Sequence, residues 1–291
     1  MTEFKETELD ERAIKMAKVL SADAVEKAGS GHPGSPISLA PVAYTLYQHF
    51  IKHDPNDPNW EGRDRFILSG GHASLTQYVQ LYFSGYGVTL DDLKNFRGGA
   101  ATRTPGHPEY GLTPGIEMTT GPLGQGFASA IGFAYGERFQ RGLLDPETPK
   151  EDSPFYHKIW AICGEGDIEE GISGEAASLA ANQKLGNLTV IVDRNRLQQG
   201  ARVEDTNTLE PLADKLAAFG FEVIETNGND IAALVEIFDA PTADGNKPRA
   251  VIAHTNKGHP ISYMSDNVAW HHKVPSDEQY AQAIAELEAL S

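Results

Sequence analysis

From residue 8 to 28 the apolar residues Ala13, Ile14, Met16, Ala17, Leu20, Ala24 and Val25 recur at three- and four-residue spacing. This predicts an amphipathic helix, stopped by Gly29-Ser30-Gly31. A second helix is expected over 37–51. Arg65-Phe66-Ile67-Leu68 reads as a short buried strand ending in Ser69-Gly70-Gly71, with residues 77–84 in the helix that follows. The glycine- and proline-rich stretch 97–121 has no period and is longer than ordinary connections, which marks a functional loop. Beyond it, apolar runs at 159–163, 189–192, 221–224 and 250–254 alternate with helical stretches near 172–185, 210–219 and 230–238. Strand-helix alternation of this kind predicts an α/β fold, a mostly parallel sheet with helices on both faces and ligands bound beyond the carboxyl ends of its strands. The Asp-, Glu- and Pro-rich segment 143–154 reads as a surface excursion. With no repeat or linker, residues 1–291 are expected to form a single domain.

Composition narrows the functions open to such a fold. The net charge of −17, without clustered Lys or Arg, argues against a nucleic-acid partner. An acidic N-terminus and the lack of a long apolar run predict no membrane insertion, with the cytoplasm as the expected compartment. Cys163, the one cysteine, lies in an apolar run and reads as a buried structural thiol. An anionic ligand on so acidic a chain must be met locally, by a metal, by backbone N–H groups or by histidines.

Two strand ends suggest where. Glu165 follows the run Ile159-Trp160-Ala161-Ile162-Cys163-Gly164, and Asn195 follows Thr189-Val190-Ile191-Val192-Asp193-Arg194; thirty positions separate them, the length of one strand-helix-strand unit. Both therefore emerge at the same sheet edge, where a carboxylate and an amide oxygen suit Mg²⁺ shared with phosphates. Solvated turn residues at Glu165 and Asp167 and a local cap at Asn195 account for that unit equally well. Four histidines flanked by Gly, Pro or Trp shift the balance: His32, His72, His107 and His271. Gathered at one edge, such imidazoles bind phosphate, donate to carbohydrate hydroxyls or move protons. His49, His53 and His157 read as packing or surface residues, and no spacing suits zinc.

The motifs Lys27-Ala28-Gly29-Ser30-Gly31-His32-Pro33-Gly34, Asp64-Arg65-Phe66-Ile67-Leu68-Ser69, Pro105-Gly106-His107-Pro108-Glu109, Thr119-Thr120-Gly121-Pro122-Leu123-Gly124-Gln125-Gly126 and Glu170-Gly171-Ile172-Ser173 resemble those of transketolases, in order and over nearly the whole chain. The resemblance implies a thiamine-diphosphate-binding fold and Mg²⁺-dependent transfer of a two-carbon ketol unit from a ketose to an aldose, with sugars or sugar phosphates as substrates. It would place Glu165, Asn195 and the carbonyl of Leu197 on the metal. Gly166, Asn195, His72 and His271 would surround the diphosphate. Gly121, Pro122 and Leu123 would meet the aminopyrimidine, and His32, His107 and His271 would line the substrate channel as catalytic residues.

The chain is about half the length of a single-chain transketolase. In the family, the glutamate that activates the cofactor and the arginines that hold a sugar phosphate lie in the following domain. The resemblance therefore implies a partner subunit carrying the pyrimidine-binding domain, in a two-plus-two heterotetramer; a truncated chain would read the same way. The sequence departs from the family at Glu165, where aspartate is usual, with Asp167 as a nearby second carboxylate, and at Gly200 and Asn229, where an acidic residue and histidine are common. A non-catalytic subunit that keeps the fold, or a related thiamine enzyme such as a deoxyxylulose-phosphate synthase or a 2-oxo acid dehydrogenase component, is the alternative.

Overall fold

The computed structural model describes residues 4–242 and 245–290, so the acidic N-terminal residues Met1 to Glu3 lie outside the described residues. Helix α1 (Glu8–Ala28) starts at a reciprocal cap, in which Thr7 Oγ1 accepts the Asp10 N–H and the Asp10 carboxylate accepts the Thr7 N–H; it ends where Gly29 turns left-handed at φ 61°. The helix expected over 37–51 is broken into α2 (Gly34–Ser38), α3 (Ala40–Thr45) and a π turn at Leu46–Phe50. Pro41 is the reason, since it has no N–H with which to continue the ladder from α2 into α3. Next come β1 (Arg65–Leu68), α4 (Leu75–Phe83), α5 (Leu90–Lys94) and α6 (Gln125–Leu144). The sequence pattern did not reveal α6, because Gly126, Gly132, Gly136 and Gly142 interrupt its apolar spacing.

The remaining chain alternates regularly: β2 (Ile159–Gly164), α7 (Glu165–Glu169), α8 (Gly171–Asn182), β3 (Leu188–Arg194), α9 (Val203–Thr206), α10 (Leu212–Phe219), β4 (Glu222–Asn227), α11 (Ile231–Asp239), β5 (Arg249–His254) and α12 (Asp277–Glu288). The five strands form one wholly parallel sheet in the order β1-β2-β3-β5-β4. Edge strand β4 runs to Asn227 opposite His254, past the apolar stretch that marked it in the sequence. Strand side chains alternate between two cores. Trp160, Ile162, Ile191 and Val251 pack with α1, α3, α4 and α11, while Ile159, Ala161, Val190 and Ile252 pack with α6, α8 and α10. Cys163 is buried in the second core, and burial raises its thiol pKa well above normal, as expected of a structural thiol. Among the described residues no helix is long and apolar enough to cross a membrane.

The carboxyl ends of β1 and β2 are joined to α6 by one buried carboxylate. Asp167 Oδ1 accepts the Ser69 hydroxyl at 2.5 Å and the Gly124 N–H at 2.8 Å, and its Oδ2 accepts the Gly164 N–H at 2.8 Å. Ser69 Oγ in turn accepts the Phe127 N–H at 2.8 Å. The contact is so close that a Cβ at Gly126 would lie 2.5 Å from Ser69 Cα, which is why the second residue of α6 is glycine. Replacing Asp167 by Ala orphans two buried amides and a hydroxyl; urea denaturation is expected to show a loss of about 2–4 kcal/mol with the m-value unchanged. An Asp167→Ala variant within about 0.5 kcal/mol of the native chain would remove this carboxylate from its joining role.

Candidate functional site

The parallel register brings Leu68, Gly164, Arg194 and His254 to one edge of the sheet, and the loops leaving β1, β2, β3 and β5 enclose a cavity of about 500 Å³ there. The 97–121 loop closes one side. It is irregular but pinned: Thr104 Oγ1 donates to the Asp92 carbonyl at 2.6 Å, Thr102 Oγ1 to the Asn95 carbonyl at 2.7 Å, and Ser74 Oγ to the Gly106 carbonyl at 3.1 Å. A Cβ at Gly71 would lie 2.8 Å from the Gly121 nitrogen, so the β1 turn and this loop touch backbone to backbone.

Four separate segments deliver the four histidines to this one cavity. The ring centroids of His32 and His72 are 5.0 Å apart, those of His72 and His271 5.1 Å, and those of His32 and His271 5.4 Å. His107 stands against Gly121, where a Cβ would come within 3.2 Å of its ring. His272, which the sequence reading did not assign, lies against His32 with centroids 4.5 Å apart and the rings tilted by 46°. Burial, the main cause, lowers the pKa of His32 to about 3, of His72 to about 4 and of His271 to about 2; neighbouring imidazoles and, for the latter two, Lys257 add to the effect. His107 is lowered too, by burial and then by Arg97. These rings are neutral at physiological pH and work as hydrogen-bond donors and acceptors.

Lys257, on the turn after β5, was missed from the sequence, although its place directly after a strand end was legible. Its Nζ donates to the Leu197 carbonyl at 3.0 Å and to His271 Nδ1 at 2.9 Å. The His271 Nδ1 must then be an acceptor, which leaves its proton on Nε2. Lys257 is 2% exposed, and burial lowers its pKa to about 8, so it is cationic at neutral pH.

Glu165, Gly166, Asn195 and Leu197 all face the cavity, as do Gly121 and Leu123, whereas Pro122 is exposed outside it. The three oxygen donors assigned to magnesium are nevertheless bonded within the chain. Glu165 forms an ion pair with Arg194, and its Oε2 accepts the Arg196 N–H at 2.5 Å. Asn195 Oδ1 accepts the Leu197 N–H at 3.0 Å, and the Leu197 carbonyl is held by Lys257. Asp167 does not substitute for Glu165, since both its oxygens serve the strand-helix joint. A carbonyl or amide oxygen has two lone pairs, so these single contacts leave Asn195 and Leu197 with acceptor capacity at the cavity. Gly200 lies in the turn where the Gln198 N–H meets the Ala201 carbonyl, and Asn229 follows β4, away from the cavity lining.

Because the depressed histidines release their protons on folding, acidification below the unfolded value near 6.5 is expected to destabilise the protein progressively. Imidazole ¹⁵N spectra at pH 6 are expected to show His32, His72 and His271 neutral, with Nε2–H on His271. A charged ring at His271 would contradict the Lys257 contact.

Residues 9–287 match the family model described as "Transketolase, thiamine diphosphate binding domain". The transketolase of Mycobacterium tuberculosis strain H37Rv is 46% identical over 278 residues, which cover 94% of this chain and 39% of that protein. That of Geobacillus stearothermophilus is 43% identical over 252 residues, covering 86% of this chain and 37% of its own length. Among solved structures, transketolase from Campylobacter jejuni superposes with a TM-score of 0.90 at 37% identity, over 98% of this chain and 43% of that one. Transketolase from Leishmania mexicana gives 0.89 at 36% identity, over 96% and 41%. The chain thus spans about two fifths of the length of the relatives it matches, and over that length it belongs to the transketolase family, as the thiamine diphosphate-binding domain.

Proposed function

We propose that this chain is the cofactor-binding subunit of a two-chain transketolase, which moves a two-carbon ketol unit from a ketose to an aldose. The observation that carries the reading is the convergence of His32, His72, His107 and His271 with Lys257 in one cavity at the carboxyl edge of a parallel sheet. When bound there, thiamine diphosphate supplies the carbanion chemistry. The chain's own groups divide the remaining work. Lys257, His72, His271, Gly166 and Asn195 face the diphosphate; Gly121 and Leu123, flanking the exposed Pro122, face the aminopyrimidine; His32, His107 and His271 orient the sugar's carbonyl and hydroxyl groups and hold protons at their ring nitrogens. Glu165, Asn195 and the Leu197 carbonyl would hold magnesium beside the diphosphate, with Glu165 exchanging its contact with Arg194 for the ion.

The need for a second chain rests on chemistry. Activation of the cofactor takes a carboxyl group with a proton to share, and the three carboxylates on the cavity wall are all engaged: Glu165 with Arg194, Asp167 with Ser69 and two amides, Asp193 with Asn195 and Thr255. A pyrimidine-binding subunit in a two-plus-two assembly would supply the carboxyl group and the arginines for a sugar phosphate. The Glu165–Arg194 pair also favours a second reading, a subunit that keeps the fold without catalysis, against which the four histidines stand.

Mixing this chain with a transketolase-like pyrimidine-binding chain is expected to yield a complex that exchanges ketose and aldose only with thiamine diphosphate present. Exchange by this chain alone would refute the two-chain reading, and none by a cofactor-loaded complex would favour the non-catalytic one. In the active complex, His107→Ala is expected to lower kcat/KM about 10²- to 10⁴-fold, the usual worth of a positioned proton-transfer or hydrogen-bonding group. Its thiamine diphosphate affinity is expected to stay near that of the unaltered complex, and kinetics beside calorimetry separate the two effects.

A further inference from the structure

Two of the histidines on the sugar side of the cavity stand on segments that meet at one side chain. Arg97 opens the 97–121 loop, and its Nη1 donates to Ser30 Oγ at 2.6 Å, two residues before His32. The same guanidinium lies against Gly106, one residue before His107. A Cβ there would come within 2.8 Å of Arg97 Nε and 3.1 Å of its Nη2, so only glycine leaves it room. Phe96 completes the contact, since a Cβ at Gly31 would lie 3.3 Å from its ring. The arrangement is held at a cost. The Arg97 N–H donates to the Thr104 carbonyl at 3.0 Å, but its backbone is left-handed at φ 58°, a conformation that disfavours a side chain. Its Nε is buried without a hydrogen-bond partner, and no carboxylate acts on its charge among the described residues. Strain and an orphaned donor at one residue mark function rather than folding.

We propose that Arg97 is the positioning residue of the sugar site, fixing His32 and His107 relative to each other through Ser30 and Gly106. The proposal rests on the reading of those two rings as the groups that orient the sugar. Arg97 is not among the residues lining the cavity, so it acts through them rather than on the substrate. Its charge has a second effect. His32 faces His72, His271, His272, His107 and Arg97, and His107 faces Arg97, Glu109 and His72. Arg97 is the one permanent cation acting on either ring among the described residues, and it opposes their protonation. Loss of Arg97 therefore frees both rings to shift and lets them take up protons at a higher pH.

Arg97→Gly tests this with the left-handed turn kept, because glycine takes that backbone without strain. In the complex with the pyrimidine-binding chain, the variant is expected to lower kcat/KM about 10- to 100-fold, the cost of misplaced reacting groups. Its thiamine diphosphate affinity is expected to be unchanged, and the acid limb of its pH profile to move upward. Arg97→Lys, which keeps the charge without the planar fork, is expected to restore the acid limb but only part of kcat/KM. Imidazole ¹⁵N titrations of the chain alone need no activity: the His32 and His107 midpoints are expected to rise in Arg97→Gly, with thermal melts showing that it is folded. Native kcat/KM in the Arg97→Gly complex, or ring titrations that do not move, overturns the inference and leaves the cofactor reading intact. Should the glycine variant not fold, native kcat/KM in Arg97→Lys is the overturning result. An unaltered complex that exchanges no sugar sinks the transferase reading instead, and the titrations of the chain alone then decide for or against Arg97.

Discussion

The site depends first on the Asp167 carboxylate. Three donors from three segments meet on its two oxygens, Ser69 at the end of β1, Gly164 at the end of β2 and Gly124 at the head of α6. Burial raises its pKa while those hydrogen bonds oppose the rise, the balance expected of a charge desolvated for a structural purpose. Because the Gly121–Leu123 wall directly precedes Gly124, and His72 lies three residues beyond Ser69, the joint fixes the spacing between the two sides of the cavity.

Charge is distributed unevenly through the molecule. The chain carries −17 formal charges, yet two fully buried cations stand at the cavity, Lys257 on its wall and Arg194 behind Glu165. They play opposite roles. Arg194 is saturated by carboxylates and braces the loop after β3, while Lys257 has only neutral hydrogen-bond partners and keeps its charge available to the cavity. The histidines around it are held neutral by the same burial, so the local positive potential comes from Lys257 and, at His32 and His107, from Arg97.

Much of this was legible in the residues. The alternation of apolar runs after residue 159 specified parallel strands, because strands covered on both faces read as continuous hydrophobic segments and little else does. The strand-helix-strand distance from Glu165 to Asn195 correctly placed both at one edge. Periodicity could not show α6, whose glycines permit the contact with Ser69 that it needs, or the break at Pro41, where a local loss of one donor overrides a helical pattern. Side-chain partners were less legible still. Glu165 reads as a free ligand until Arg194, on the adjoining strand, is seen to turn toward it, and nothing in Thr255-Asn256-Lys257-Gly258 announces that its lysine reaches the Leu197 carbonyl.

The strand order has a consequence for biosynthesis. β5 lies between β3 and β4, so β4 has no hydrogen-bonded neighbour, and the far side of β3 none, until residues 249–254 have been made. Lys257 and His271 emerge later still. As the chain leaves the ribosome, the helices packed on β1 to β3 can assemble early, but the open edge of β3 persists while residues 195–254 are made, exposed to mispairing with other nascent chains. The side of the cavity built by Lys257 and His271 therefore closes only after β5 has joined β3 and β4.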